Sequence, residues 1–269
     1  TAKIQIDGLG RSYGDSCLIR DGTLIRTHEL NKFRHFDPET GRLSCEAGLS
    51  IGDLLDFAIP RGWFIPVTPG TKFVTMGGAI ANDVHGKNHH RRGTIGNHII
   101  EIELIRSNGE RLHCSLVEES ALFRATIGGL GLTGLILSCT IQLIPIESAW
   151  IDAELIKTTG LDEFIELDRT SENDYEYTVS WIDCMATGKN RGRGIFIRGN
   201  HAKGGSIKKD YIKQKNPSIR VPFDAPAWAL NKFSIKAFNE AYYHKQLTKL
   251  KMVKQGFNPF FYPLDAVGD

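Results

Sequence analysis

A chain of 269 residues, 41% hydrophobic and 24% charged, has the composition of an ordinary globular protein of one or two domains, which excludes a disordered or collagen-like chain. A formal net charge of +2 gives no bulk attraction for nucleic acid. No apolar run approaches the about 18 residues that a membrane helix needs, and peripheral membrane association stays open.

The first expected strand begins within a residue or two of Thr1, a start with no signal-peptide pattern, and the chain stops abruptly at Asp269. A piece lacking sequence at both ends is expected. Ser50 and Asp53 form a capping-box start, Ile51, Leu54, Leu55, Ala58 and Ile59 follow at helical spacing, and Pro60 with Gly62 supplies the stop. Ile100, Ile102 and Leu104 alternate with glutamates, Asn108-Gly109 makes a tight turn, and Leu112, Cys114 and Leu116 resume the alternation of a hairpin. Ser120 is placed to cap a short helix that Gly128-Gly129 ends. Leu135, Leu137, Cys139, Ile141 and Leu143 then alternate as a long strand. The fold class is α+β, since strands interleave with hairpins and short helices and no βαβ repeat of a doubly wound sheet is present.

Past Ile146 aromatics become more frequent, with strands expected at Trp150–Ile156, Tyr175–Cys184 and Gly194–Arg198. A first domain is therefore placed at 1–146 and a second at 147–269. The Gly-, Lys-, Asn- and Pro-rich stretch from Asn200 to Pro226 reads as a mobile loop, one candidate cover for a substrate site. Within it, the basic run Lys203–Lys215 is either a solvated loop or a surface for a phosphate or anionic headgroup. Cys17, Cys45, Cys114, Cys139 and Cys184 are odd in number without CxxC spacing, so neither a disulfide framework nor a zinc ribbon is signalled and a reducing, cytoplasmic compartment is expected.

Three glycine-rich segments stand at the ends of strand patterns, where bare backbone can approach a ligand. The first, Gly8-Leu9-Gly10-Arg11-Ser12-Tyr13-Gly14-Asp15, offers consecutive amides for a pyrophosphate nest, although a plain turn has the same composition. The second runs from Pro69 to His90 and interleaves Gly70, Thr71, Thr75, Gly77, Gly78, Asn82, Asp83 and His85 without helical or strand period. The third, Gly128-Gly129-Leu130-Gly131-Leu132-Thr133-Gly134, lacks the Gly-Lys-Ser/Thr ending of a P-loop. His85, His89 and His90 suggest a metal, yet no carboxylate or cysteine completes a ligand set, so no metal is assigned.

Together with Gly96-Asn97-His98 and Phe260–Gly268, these segments resemble the FAD-linked oxidases of the vanillyl-alcohol oxidase type, whose FAD-binding domain is called PCMH-type. The resemblance implies an FAD-binding domain followed by an incomplete antiparallel substrate-binding domain. It implies FAD in an extended pose, with Gly8 to Ser16 and Gly70 to Gly78 around the pyrophosphate and ribityl chain. Asn82, Asp83 and His85 would lie by the flavin ring, and the Gly134 to Ile136 backbone by the adenine end. In many relatives a histidine of the first segment carries the flavin covalently; Arg11 stands there, so FAD is expected to be non-covalent.

The implied reaction oxidises a secondary sugar hydroxyl to a ketone, with an aldonolactone or other sugar-alcohol oxidase, or a non-catalytic flavoprotein, as alternatives. His85 and Lys87 are the candidate catalytic groups. His85 is a flavin contact or a satisfied structural histidine; Lys87 either stabilises negative charge at the flavin or pairs with a carboxylate. Tyr13, Trp181 and Tyr243 are implied to line the substrate pocket, with a sheet core as the other reading of Trp181, and Lys232 meets a substrate phosphate or solvent. The resemblance also implies a sugar linked to polyprenyl phosphate, a separate reductase or epimerase partner for the ketone, and a further lysine and cysteine of the site beyond Asp269.

Overall fold

The structure, a computed structural model, describes residues 3–205, 207, 211, 226, 229 and 231–265. It divides into two compact units, Thr1–Glu147 with Ser206–Tyr211, and Ser148–Gly205 with Ile212–Asp269. Helices and antiparallel sheets are mixed in an α+β fold.

The first unit is built on a five-stranded antiparallel sheet in the order β3 (Phe33–Asp37), β4 (Arg42–Glu46), β8 (Leu135–Gln142), β6 (Ile99–Ile105), β7 (Arg111–Ser115). Helix α1 (Ile51–Ala58) starts where the sequence places it: the Ser50 hydroxyl accepts from the Asp53 amide at 3.0 Å. Its Ile51, Leu54, Leu55 and Ala58 are all buried, and each of the larger ones contributes about 2 kcal/mol by leaving water. A second, smaller pairing joins β5 (Trp63–Phe64) to β9 (Ile144–Pro145). Strands β1 (Ile4–Asp7) and β2 (Thr23–Arg26) form the one parallel pair among the described strands, so the chain must cross over between them, and the first glycine segment lies in that crossover.

The sheet corrects three local expectations. Alternation along β8 breaks: Ile136 and Ser138 are buried, then Cys139, Ile141 and Leu143, while Leu135 and Leu137 are not. The cause is a bulge. Leu104 pairs with Ile136 and Glu103 with Ser138, so Leu137 is an extra residue that flips the phase, and its carbonyl accepts from the Ala47 amide instead. The β6–β7 turn is wider than two residues, closed by the Arg106 amide on the Glu110 carbonyl at 2.9 Å, and Leu116 lies beyond β7 and is exposed. Helix α4 (Ser120–Thr126) is preceded by Glu119 at φ 47 with no side-chain cap, so Ser120 is its first residue and not its cap.

The second unit carries an antiparallel sheet in the order β11 (Tyr177–Ile182), β12 (Gly194–His201), β10 (Trp150–Thr158), β13 (Leu250–Gly256). Helix α5 (Leu161–Ser171) packs on β10 and β12, with Phe164 edge-on to Phe196 at 5.8 Å. Helix α6 (Lys232–Lys245) starts at a reciprocal capping box between Asn231 and Ser234. It buries little, Asn239 and Tyr243, and is held instead by polar groups. Arg193 donates to Asp183 at 2.7 Å and to Glu240 at 2.6 Å, and Asn239 donates to Asp183 at 2.7 Å. Much of the expected loop from Asn200 to Pro226 lies outside the described residues, as does the end of Phe260–Gly268; Asn200 and His201 close β12.

His201 sits in an aromatic cluster with Tyr177 and Phe261 of α7 (Phe257–Phe261), and its Nδ1–H donates to the Ser148 carbonyl at 2.9 Å. Burial pushes its pKa from 6.5 down to about 4. Between those values the unfolded chain binds the proton and the folded chain does not, so His201's contribution is intact above about 6.5 and stability falls as pH drops towards 4. In urea titrations at pH 7 and pH 5, the His201→Asn variant is expected to lose less stability on acidification than the parent; equal losses would assign the acid sensitivity elsewhere.

Candidate cofactor site

The short helix α2 (Met76–Ala81) holds two glycines and is poor helix material by composition; its neighbours explain both. The Thr75 hydroxyl caps it by accepting from the Gly78 amide at 3.0 Å. The Met76 amide donates to the Leu49 carbonyl at 2.8 Å and the Gly77 amide to the Ala47 carbonyl at 2.7 Å. A Cβ at Gly77 would stand 3.0 Å from the Ala47 Cβ, a tight contact, so glycine favours the close seating of α2 on the strand-to-helix turn before α1.

All three glycine segments meet at this helix. Gly8 lies against the cap, where a Cβ would come within 2.5 Å of the Thr75 Oγ1. At the other end the Gly128 amide donates to the Ile80 carbonyl at 3.0 Å and the Leu130 amide to the Ala81 carbonyl at 2.8 Å, using carbonyls that a helix end otherwise leaves to water. The Arg11 guanidinium lies 5.8 Å from the Phe73 ring centroid, a further contact between the first and second segments.

Around this buried hub the predicted residues present backbone and polar atoms to the surface. Leu9, Gly10, Arg11, Ser12, Tyr13 and Gly14 are exposed, Tyr13 completely. Gly10 and Gly14 stand at φ 62 and 61, a conformation that favours glycine, and Gly14 and Gly70 each face open space where a side chain would project. The Thr71 hydroxyl accepts from the Phe73 amide at 3.2 Å, and exposed Asn82 donates to the Gly78 carbonyl at 2.8 Å. His85 is exposed, its backbone is bridged to Thr94, and its ring is edge-on to His89 of α3 (His89–Arg92) at 5.9 Å. Lys87 is half-buried, and that burial holds its ammonium below the usual lysine range.

At the third segment the glycine of Gly134 answers to the sheet, since a Cβ there would come within 2.4 Å of the Ile105 carbonyl oxygen. Ile136 is buried within β8, paired with Leu104 of β6. Trp181, Lys232 and Tyr243 belong to the second unit. Trp181 is half-buried against Tyr242 at 4.7 Å, and exposed Lys232 lies 5.1 Å from the Phe233 ring. Tyr243 is 8% exposed, donates to the Thr158 carbonyl at 3.2 Å and lies under Lys157 and Arg193 at 4.2 and 4.8 Å. These contacts anchor α6. Sequence reasoning missed Thr75 as the contact of Gly8; its signal was a threonine three residues before Gly78, the spacing of a cap.

Bare glycine backbone, hydroxyls and exposed aromatic and imidazole groups around one rigid helix suit a large, flat, phosphate-bearing cofactor. The residues present fit FAD. Residues 1–115 match the family described as "FAD binding domain". The chain is 39% identical over 269 residues to decaprenylphosphoryl-beta-D-ribose oxidase of Mycolicibacterium smegmatis, covering 97% of this chain and 58% of that protein. It is 28% identical over 143 residues to L-gulonolactone oxidase of Scyliorhinus torazame, covering 53% and 32% respectively. It is 27% identical over 137 residues to D-lactate dehydrogenase of Anaerostipes hadrus, covering 49% and 29%. The chain thus spans a little over half the length of the first of these relatives and about a third of the others.

Fold and site define a flavin-binding domain at the start of the chain. The cofactor of this domain is FAD, and along 97% of its length the chain is similar to an oxidase.

With arginine at position 11 in place of a flavin-linking histidine, non-covalent attachment of FAD is the expected outcome. Acid precipitation of the purified yellow protein is expected to leave all flavin absorbance in the supernatant; flavin that stays with the precipitated chain would contradict this.

Proposed function

We propose that this chain is the flavin-binding part and a portion of the substrate-binding part of an oxidase that converts a secondary hydroxyl of a polyprenylphosphoryl sugar to a ketone. The observation that carries the proposal is the extent of one likeness. Identity of 39% to a protein named for decaprenylphosphoryl-ribose runs through 97% of the chain, both units included, whereas the gulonolactone oxidase match covers 53%. Similarity that continues through the second unit supports a shared substrate as well as a shared cofactor.

When bound, FAD supplies the hydride acceptor for the carbon being oxidised. The protein's part is orientation and electrostatics. The glycine segments hold the cofactor's backbone-facing side, and α2 keeps them in register. His85, exposed beyond α2, serves in this reading as the flavin-side polar group that orients the sugar hydroxyl; Lys87, already short of its full solvation, supports negative charge at the flavin. Tyr13 and Trp181 offer ring faces for the sugar or its isoprenoid tail, and Lys232 a cation for its phosphate. A ketone product calls for a separate reductase or epimerase partner, and a lipid-linked substrate calls for peripheral contact with a membrane. Among the described residues no helix is long and apolar enough to cross one.

In the full-length protein, anaerobic addition of a polyprenylphosphoryl ribose is expected to bleach the flavin bands, while gulonolactone and simple polyols leave them largely unchanged. Bleaching by the lactone alone would replace this substrate with an aldonolactone, and no bleaching by any of them would leave a non-catalytic flavoprotein. His85→Ala is expected to retain FAD and lower kcat/KM by about tenfold, or about 1.4 kcal/mol of transition-state stabilisation; unchanged turnover would remove His85 from the site.

A further inference from the structure

We infer that Asp83 is a positioning residue that aims the flavin-side turn, acting through His85 and without touching the cofactor itself; the inference rests on the flavin-side role of His85 proposed above. Asp83 is a non-glycine residue at φ 44, in the left-handed region, where aspartate is tolerated at a cost of about 1 kcal/mol or more. Such strain persists only where the surroundings fix it, and three contacts do so here. The Asp83 amide donates to the Ile80 carbonyl at 3.0 Å, which turns the chain out of α2. Its carboxylate Oδ1 accepts from the Gly96 amide at 3.0 Å, tying the turn to the next segment.

The third contact is steric. A Cβ at Gly96 would stand 2.8 Å from that Oδ1 and 2.5 Å from Ile127 Cγ2, and one at Gly128 would stand 3.4 Å from the Asp83 Cβ. The absence of a side chain at Gly96 therefore leaves room for this carboxylate, while Gly128 sits at ordinary contact with its Cβ. Beyond the turn, the Val84 amide donates to the Ala79 carbonyl at 3.1 Å and the Ile95 amide to the Val84 carbonyl at 2.9 Å, and His85 is bridged to Thr94. The left-handed residue sets the direction in which the next two leave α2. The Oδ1 latch holds that direction against residues 94–96, so the exposed face of His85 follows from Asp83.

Backbone conformation and hydrogen bond can be separated in the full-length protein. Asp83→Asn keeps both an Oδ1 acceptor and tolerance of a positive φ. Asp83→Gly keeps the φ and removes the acceptor, and Asp83→Ala removes both. FAD affinity of the apoprotein, the visible circular dichroism of the bound flavin and the melting temperature are measured for each. Asn is expected within about twofold of the parent in Kd, with the same dichroism. Gly is expected to melt no lower than the parent but to bind FAD about tenfold more weakly with altered dichroism, and Ala to show both losses. A Gly variant with parental Kd and dichroism, or an Asn variant as impaired as Ala, overturns the role. If the parent oxidises no sugar while the Gly variant still alters the flavin dichroism, the proposed reaction fails and the positioning role stands. If sugars bleach the parent flavin and the Gly variant is indistinguishable from it, the positioning role alone fails.

Discussion

The first unit depends on how closely α2 can be approached. A six-residue helix with two glycines has little stability of its own. It persists because Ala47 and Leu49 accept its first amides, Gly8 closes on its cap, and Gly128 and Leu130 donate to its last carbonyls. Each contact brings backbone to backbone or backbone to a hydroxyl, and side chains at Gly8 or Gly77 would crowd the first of them. Glycines here serve two distinct ends: some allow the segments to meet, and others, Gly14 and Gly70, leave open space on the outer face.

That division explains why the rigid and the exposed parts of the site alternate along the chain. Met76, Ala79 and Ile80 are buried, while Asn82 and His85 a few residues on are exposed. Binding residues carried on short loops anchored to a packed element combine access with fixed geometry. Lys87 shows what such a setting does to charge: burial without full solvation disfavours the ammonium, a state that a nearby negative charge would relieve. The second unit uses another device. Helix α6 is attached by Arg193, Asp183, Asn239 and Glu240 more than by an apolar stripe, and removing one partner of the buried Arg193–Asp183 pair leaves an uncompensated charge.

Much of the fold was legible because its signals are local. The Ser50 cap, the apolar spacing through Ile59 and the strands β6, β7, β8, β10, β11 and β12 follow from residues a few positions apart. What sequence alone did not show depends on partners far along the chain. The phase flip in β8 arises from a bulge against β6, about thirty residues earlier, and the burial of Tyr243 from Thr158, Lys157 and Arg193. The glycine segments stood out by composition, but their meeting at α2 did not, since Gly8 and Thr75 carry no mark of each other. Asp83 was visible as a polar residue near the site, whereas its strained backbone and its bond to Gly96 exist only in three dimensions.

The central claim is that three separate glycine segments form one FAD cradle around α2. Amide hydrogen exchange of the apoprotein with and without FAD tests it most directly. The account requires that FAD slow exchange in residues 8–16, 70–85 and 128–134 together, with the same dependence on FAD concentration. Protection confined to one segment, or appearing at different FAD concentrations in different segments, would contradict a single shared site.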